Sequence, residues 1–322
     1  MNPKLIAVLL TAALPATAQA RNIVISNDDG LSSNVKALYD ALKAQGHDVI
    51  VSVPCANQSG MGAAIRFMRE LGPLTADCRN DAAKAGSPGA GPMTRADLGR
   101  DYFYVDGTPV MATLYGIDIA AQTRWGKAPD LVISGPNEGQ NIGYIVLTSG
   151  TVSNVQYAGT RGIPAIAMSG GMDTMSGPAL DNAKSAMIAA RGADLVAQLD
   201  ARAKGGPLLP AGVVLNVNFP DTLEGAKWRQ TRIGTYSGFK VRFVPDLSTA
   251  GKTLSPEAHT SHGPGITASQ AAHEPKPEER NDESYVVRTD IAVSPMQIGY
   301  DPAPGSAAPV GKWLADTLKG LK

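Results

Sequence analysis

Apolar residues recur along the chain in short runs, and stretches of helical spacing separate them. NIVIS (22–26) is a β-rich run. Over residues 34–45 the apolar positions Val35, Leu38, Ala41 and Leu42 share one helix face, and Gly46 follows as a stop. DVIVSV (48–53) and YFYV (102–105) read as strands, and Thr108-Pro109 then opens a helix with a capping hydroxyl and a first-turn proline. PDLVIS (129–134), IPAIAMS (163–169) and GVVLNVNF (212–219) continue the strands, with an Ala-rich helix predicted over 180–199. These runs are apolar on both faces, as in a parallel sheet covered by helices on either side. The expected class is therefore α/β, a Rossmann-like three-layer sandwich with a mostly parallel sheet. WRQTRIGTYSGFKVRFVP (228–245) reads as a hairpin and gives a C-terminal hairpin or arm extension over about 228–322, beyond a core of about 22–220. Two polar stretches, 78–101 and 244–282, read as loops.

In such sheets ligands bind beyond the carboxyl ends of the strands. Three predicted strand ends carry polar groups there. The first is Asp28-Asp29-Gly30, where two adjacent carboxylates repel each other and a divalent cation would hold them together. Taken alone, the pair fits a turn and helix cap better than a metal site. The second is Ser59 in PCANQSGMG (54–62), either an oxygen ligand or a turn residue. The third is the Gly/Asn-rich loop after strand 129–134, with Asn137 and Asn141, leading to Ser149-Gly150-Thr151 at the start of a helix. Backbone N–H groups and two hydroxyls there suit an anion, and ordinary helix capping is the plainer reading.

Composition narrows the classes. Lys+Arg 29 and Asp+Glu 29 balance, so no basic excess exists to hold a nucleic acid duplex. After residue 20 no apolar run is long enough for a membrane helix. Residues 1–20 have a lysine, an apolar run over 5–14 and Ala18-Gln19-Ala20, the pattern of a secretory signal. A first buried strand or helix is the other reading. The expectation is cleavage after Ala20 and export from a bacterial cytoplasm, to the periplasm or beyond, leaving 21–322 as one domain. The two cysteines, Cys55 and Cys78, are then read as a disulfide rather than free thiols. His47, His259, His262 and His273 lack the spacing of a zinc site and are read as solvated loop residues.

NIVISNDDG, NQSG, VISGPNEGQNIG and SGTVSNVQYAGTRGIPAIAMS resemble, in order and spacing, the survival protein SurE family of metal-dependent nucleotidases and acid phosphatases. The resemblance is close over 22–169 and looser to about 301, where RTDIAVSPMQIGYD looks like the family's late strand. It implies that Asp28, Asp29, Ser59 and Asn137 hold one divalent cation per subunit, Mg²⁺ or Mn²⁺. It assigns Asn141, Ser149, Gly150 and Thr151 to phosphate, and the acid pair to catalysis. The implied substrate is a nucleoside monophosphate or another phosphate ester. The implied assembly is a homodimer or tetramer. The chain departs from the family pattern at Pro136, in MGAAI after Gly60, in GTPVMAT (107–113) and in the length of the stretch between Gly60 and Gly107. These departures bear on substrate preference more than on the metal residues.

Overall fold

A computed structural model describes residues 20–175, 177–249, 262–270, 273–301, 312, 314–315 and 318–319. Residues 1–19, on which the predicted signal falls, and His259 lie outside the described residues. The strands are β1 Asn22–Ser26, β2 Asp48–Pro54, β3 Ala90–Pro92, β4 Tyr102–Val105, β5 Leu131–Glu138, β6 Ala165–Gly170, β7 Val213–Asn218, β8 Trp228–Gln230, β9 Phe239–Val244, β10 Gly265–Gln270 and β11 Ile291–Gln297. The α-helices are α1 Ser33–Ala44, α2 Pro109–Tyr115, α3 Ala121–Trp125, α4 Gly150–Thr160, α5 Ala183–Ala203 and α6 Glu283–Val286.

One sheet has the strand order β3-β4-β2-β1-β5-β6-β7-β11-β8. From β4 to β7 its strands are parallel, while β3 on β4 and β11 on β7 are antiparallel. Alternate residues of one strand serve two cores. Ile23 and Ile25 pack with Leu38, Leu42, Ala193 and Val196 of α1 and α5, whereas Val24 packs with Ile117, Val152, Val155 and Ala158 on the other face. A strand buried on both sides needs the continuous apolar run seen in NIVIS. The result is the α/β three-layer arrangement expected from the sequence, with extra C-terminal strands.

The predicted 228–245 hairpin is partitioned differently. β8 joins the large sheet, parallel to β11, and β9 pairs instead with β10 in a separate two-stranded ribbon. Periodicity locates strands but does not choose their partners, and here a buried acid chooses. Asp282 accepts from the N–H groups of Thr235 and Tyr236 at 3.0 and 2.9 Å and from Arg232 Nε at 2.6 Å, which bends the chain away after β8. The stretch read as a polar loop over 244–282 supplies β10. His47 is also not solvated: it is buried, its Nδ1 accepts from the Arg21 N–H at 3.1 Å, and burial lowers its pKa. His262 and His273 are exposed, as expected. Cys55 and Cys78 form a disulfide, both buried. No helix among the described residues is long and apolar enough to cross a membrane.

Candidate functional site

Three strand ends meet along one edge of the sheet. At the end of β1, Asn27 closes the turn on itself: its Nδ2 donates to Gly30 O at 2.7 Å and its Oδ1 accepts from Gly30 N at 3.1 Å. Asp28 and Asp29 are therefore carried at the turn's tip, and helix α1 is capped by Ser32, not by either acid. The capping alternative for the pair is thereby removed. Both are buried, at 3 % and 1 % exposure, and burial pushes both carboxyls above the usual range. For Asp29 the charges of Asp28 and Glu138 add to the rise.

Ser59 is brought to the pair: its Oγ lies 3.5 Å from Asp29 Oδ1, beside Asn57 Nδ2 at 3.4 Å. The loop is pinned where Gln58 N donates to Asp28 O at 2.7 Å and Ser59 N to Asn57 Oδ1 at 2.8 Å. Asn137 arrives from β5, whose register with β6 shifts between Ser134 and Asn137. The next residue's N–H, that of Glu138, donates to Asp29 Oδ2 at 3.0 Å. Asn137 donates through Nδ2 to Gly139 O at 2.7 Å, while its buried Oδ1 has no hydrogen-bond partner among the described residues.

The other half of the site is the start of α4. Ser149 Oγ accepts from Val152 N at 3.0 Å, so it caps the helix and keeps its own proton to donate elsewhere. Thr151 Oγ1 donates to Asp28 Oδ1 at 2.6 Å, and the backbone amides of Gly150 and Thr151 also favour the ionised form of Asp28. The anion-seeking groups of the helix start thus face the acid pair directly. Gly150 is needed there, because a Cβ would stand 2.7 Å from Asp28 Cβ and 2.6 Å from Pro109 Cγ.

Asn141 is placed by residues the sequence did not single out. Its N–H donates to Asn218 Oδ1 at 2.8 Å, its carbonyl accepts from Asn216 and Asn218 at 2.9 and 3.0 Å, and its Nδ2 donates to Ser169 Oγ at 3.0 Å. Beneath them Glu283 accepts from Gly143 N, Asn216 Nδ2 and Ser294 Oγ at 3.1, 3.0 and 2.8 Å. The alternating Asn-Val-Asn of β7 was the available signal, since two asparagines on one face of an otherwise apolar strand need partners. Arg79 and Glu138, paired at 2.7 Å beside Asp29, were missed for want of any local pattern.

Burial lifts the Glu283 carboxyl to about 7 against an ordinary 4.5, in spite of its three donors. A carboxyl whose folded pKa lies above its unfolded one stabilises the fold fully below the unfolded pKa, and loses that contribution as pH rises through the folded value. Wild-type stability is therefore expected to fall by about 3 kcal/mol between about pH 4.5 and 7 from this group. Glu283→Gln should flatten that part of the profile. Urea midpoints measured at half-unit pH steps for both proteins check this, and parallel profiles would dissociate Glu283 from it.

Among the described residues, no group of three or more His, Cys, Asp and Glu side chains is arranged to hold a metal ion. Ser59 meets Asp29, which adjoins Asp28, and Asn137 directly precedes Glu138, whose N–H bonds Asp29.

The family model of the survival protein SurE matches residues 23–239. A 5'-nucleotidase SurE 1 of Thermus thermophilus is 36 % identical over 231 residues, covering 71 % of this chain and 78 % of the relative. A 5'-nucleotidase SurE of Xylella fastidiosa is 30 % identical over 285 residues, covering 86 % and 89 %. An acid phosphatase of Yarrowia lipolytica is 35 % identical over 216 residues, 65 % of this chain, and the match spans only 59 % of that protein's length. Among solved structures, the SurE protein from Aquifex aeolicus superposes with a TM-score of 0.62 at 25 % identity, covering 91 % of this chain and 99 % of that one.

Proposed function

The chain belongs to the survival protein SurE family, and from that premise we propose that it is an exported, metal-dependent phosphomonoesterase that hydrolyses nucleoside monophosphates to nucleoside and phosphate. Nucleotidase and phosphatase names among its relatives support the reaction class. The observation that carries the reading is the contact of Thr151 with Asp28, which joins an anion-seeking helix start to a buried acid pair.

The acid pair would repel a phosphate unless a cation lay between them. Asp28, Asp29, Ser59 and Asn137 fit that cation: the carboxylates are buried, and Asn137 Oδ1 is an orphaned buried acceptor one residue before the Glu138 N–H that bonds Asp29. Hard oxygen donors of this kind suit Mg²⁺ or Mn²⁺. When bound, such an ion polarises a phosphoryl oxygen and acidifies water. The chain's own groups do the rest. The hydroxyl of Ser149 orients the phosphate at the helix start, whose Gly150 and Thr151 amides hold Asp28 beside it, and Asn141, locked by β7, offers its amide. Asp28 or Asp29 receives the proton of a water that attacks phosphorus as the bond to the ester oxygen breaks, and that oxygen leaves as the nucleoside hydroxyl after taking up a proton. In the other route the carboxylate attacks, the nucleoside leaves in the same way, and water then cleaves the acyl phosphate.

Export rests on the signal-like residues 1–20, with cleavage after Ala20 and residues 21–322 as one catalytic unit in the periplasm or outside the cell. The disulfide agrees with an oxidising compartment. Assembly into a dimer or tetramer is part of the same proposal. Val241, Phe243 and Ile266 on the β9–β10 ribbon are exposed apolar surface of the kind such an interface covers.

The test is a panel of 5'- and 3'-nucleoside monophosphates and p-nitrophenyl phosphate with purified protein. Phosphate release should vanish with a chelator and return with Mg²⁺ or Mn²⁺. A rate independent of the base and equal on the aryl ester would favour a broad acid phosphatase. No release with any metal would leave a binding protein.

A further inference from the structure

We propose that Arg79, fixed by the Cys55–Cys78 disulfide, is a positioning residue that sets the charge of the site by neutralising Glu138, leaving the acid pair alone to face cation and phosphate. The inference rests on the phosphomonoesterase reading above.

Glu138 follows Asn137 directly, and its N–H donates to Asp29 Oδ2 at 3.0 Å, so its carboxylate is a third acid at the same place. Its side chain is 1 % exposed. Arg79 meets both of its oxygens through one nitrogen, Nη2, at 3.0 and 2.7 Å, which leaves Nη1 free for a second partner. The same guanidinium donates through Nη1 to Asp29 O at 2.8 Å, which ties the turn carrying the acids. Charge explains the need. Three carboxylates against one dication leave a net negative site before a phosphate dianion enters, whereas Arg79 brings the sum to zero.

Arg79 reaches this position from a long surface excursion, and the disulfide brings it there. Cys78 precedes it, and Cys55 ends the strand segment that leads to Ser59. Arg79 N donates to Cys55 O at 2.7 Å, directly across the bridge. Beyond it Asn80 sits at φ 53° and donates through Nδ2 to Leu31 O at 2.8 Å, which anchors the excursion on the loop before α1. One covalent link therefore serves both sides of the site: Ser59 four residues after Cys55, and Arg79 one residue after Cys78.

The test compares inorganic phosphate binding, by calorimetry with Mg²⁺ present, and KM against kcat for a phosphate ester. The variants are Arg79→Gln, Glu138→Gln, Arg79→Gln/Glu138→Gln and Cys55→Ala/Cys78→Ala, with circular dichroism checking the fold. Arg79→Gln should weaken phosphate binding and raise KM by roughly tenfold, the size of one partly buried charge interaction, with a smaller change in kcat. Glu138→Gln alone should tighten phosphate binding. The double variant should return to near the wild-type affinity, and a Glu138→Gln change should likewise rescue the cysteine variant. A structural role for the ion pair would give the rescue without any tightening by Glu138→Gln alone. If the double variant is as impaired as Arg79→Gln, or if Glu138→Gln leaves phosphate affinity unchanged, the proposal falls, and the second result decides even if Arg79→Gln does not fold. Wild-type protein that binds phosphate but releases none from any ester would overturn the function and leave the charge comparison to be read; protein that binds no phosphate overturns both.

Discussion

Asp29→Asn is expected to abolish metal-dependent phosphate release, by about a thousandfold or more, while leaving a folded protein. The amide keeps an oxygen for the Glu138 N–H that Asp29 now accepts, so the local turn should survive. The stability readout is the sharper one. Burial, Asp28 and Glu138 all disfavour the ionised Asp29, so removing its charge relieves a repulsion in the metal-free protein. In chelator the variant should melt at or above the wild-type temperature. Added Mg²⁺ or Mn²⁺ should raise the wild-type melting temperature by linkage and leave the variant where it was. Asp28→Asn should behave alike, with an added loss because Thr151 donates to that carboxylate. Turnover within tenfold of wild type in both variants would remove the pair from catalysis.

Gly150→Ala is expected to cost at least about a hundredfold in turnover. The new methyl has no free side: Asp28 Cβ stands at 2.7 Å and Pro109 Cβ at 2.9 Å from its position. The helix start would have to move off the acid pair, and a shift of this size at a reacting centre is costly even where the fold tolerates it. Ser149→Asp is the companion measurement. Aspartate is a good N-cap, and its charge suits the helix dipole, so the capping bond to Val152 should persist. If Ser149 also helps hold phosphate, its activity and its inhibition by inorganic phosphate should fall together at an unchanged melting temperature. A stable, fully active Ser149→Asp would show that phosphate binds elsewhere.

What the sequence made legible was local. β1, β2 and β5 were visible because strands buried on both faces must be apolar throughout, and α1 and α2 because their caps and faces lie within one or two turns of chain. Asp28, Asp29, Ser59 and Asn137 stood out through their position after such strands. The pairings were not local and were not legible. Arg79 meets Glu138 across 59 residues, and Gly143 meets Glu283 across 140. Neither glutamate lies in a pattern that sets it apart from a solvated one. The 228–245 stretch failed for the same reason, since its two strands were found and their partners were not.

β11 reaches the sheet from far along the chain and lies between β7 and β8. Until it arrives, β7 has an open edge bearing Asn216 and Asn218, and the loop holding Asn141 lacks the support of Glu283. A chain ending near residue 239, where the family match stops, would thus carry every residue assigned to cation and phosphate yet present a bare strand edge, a template for pairing with another chain. Pairing β11 with β7 is a long-range contact, as is that of β1 with β5, and each closes a larger loop than the local β1–α1–β2 unit. Support for the site is therefore conferred by the last described strand of the chain, not by the strands that hold its reacting groups.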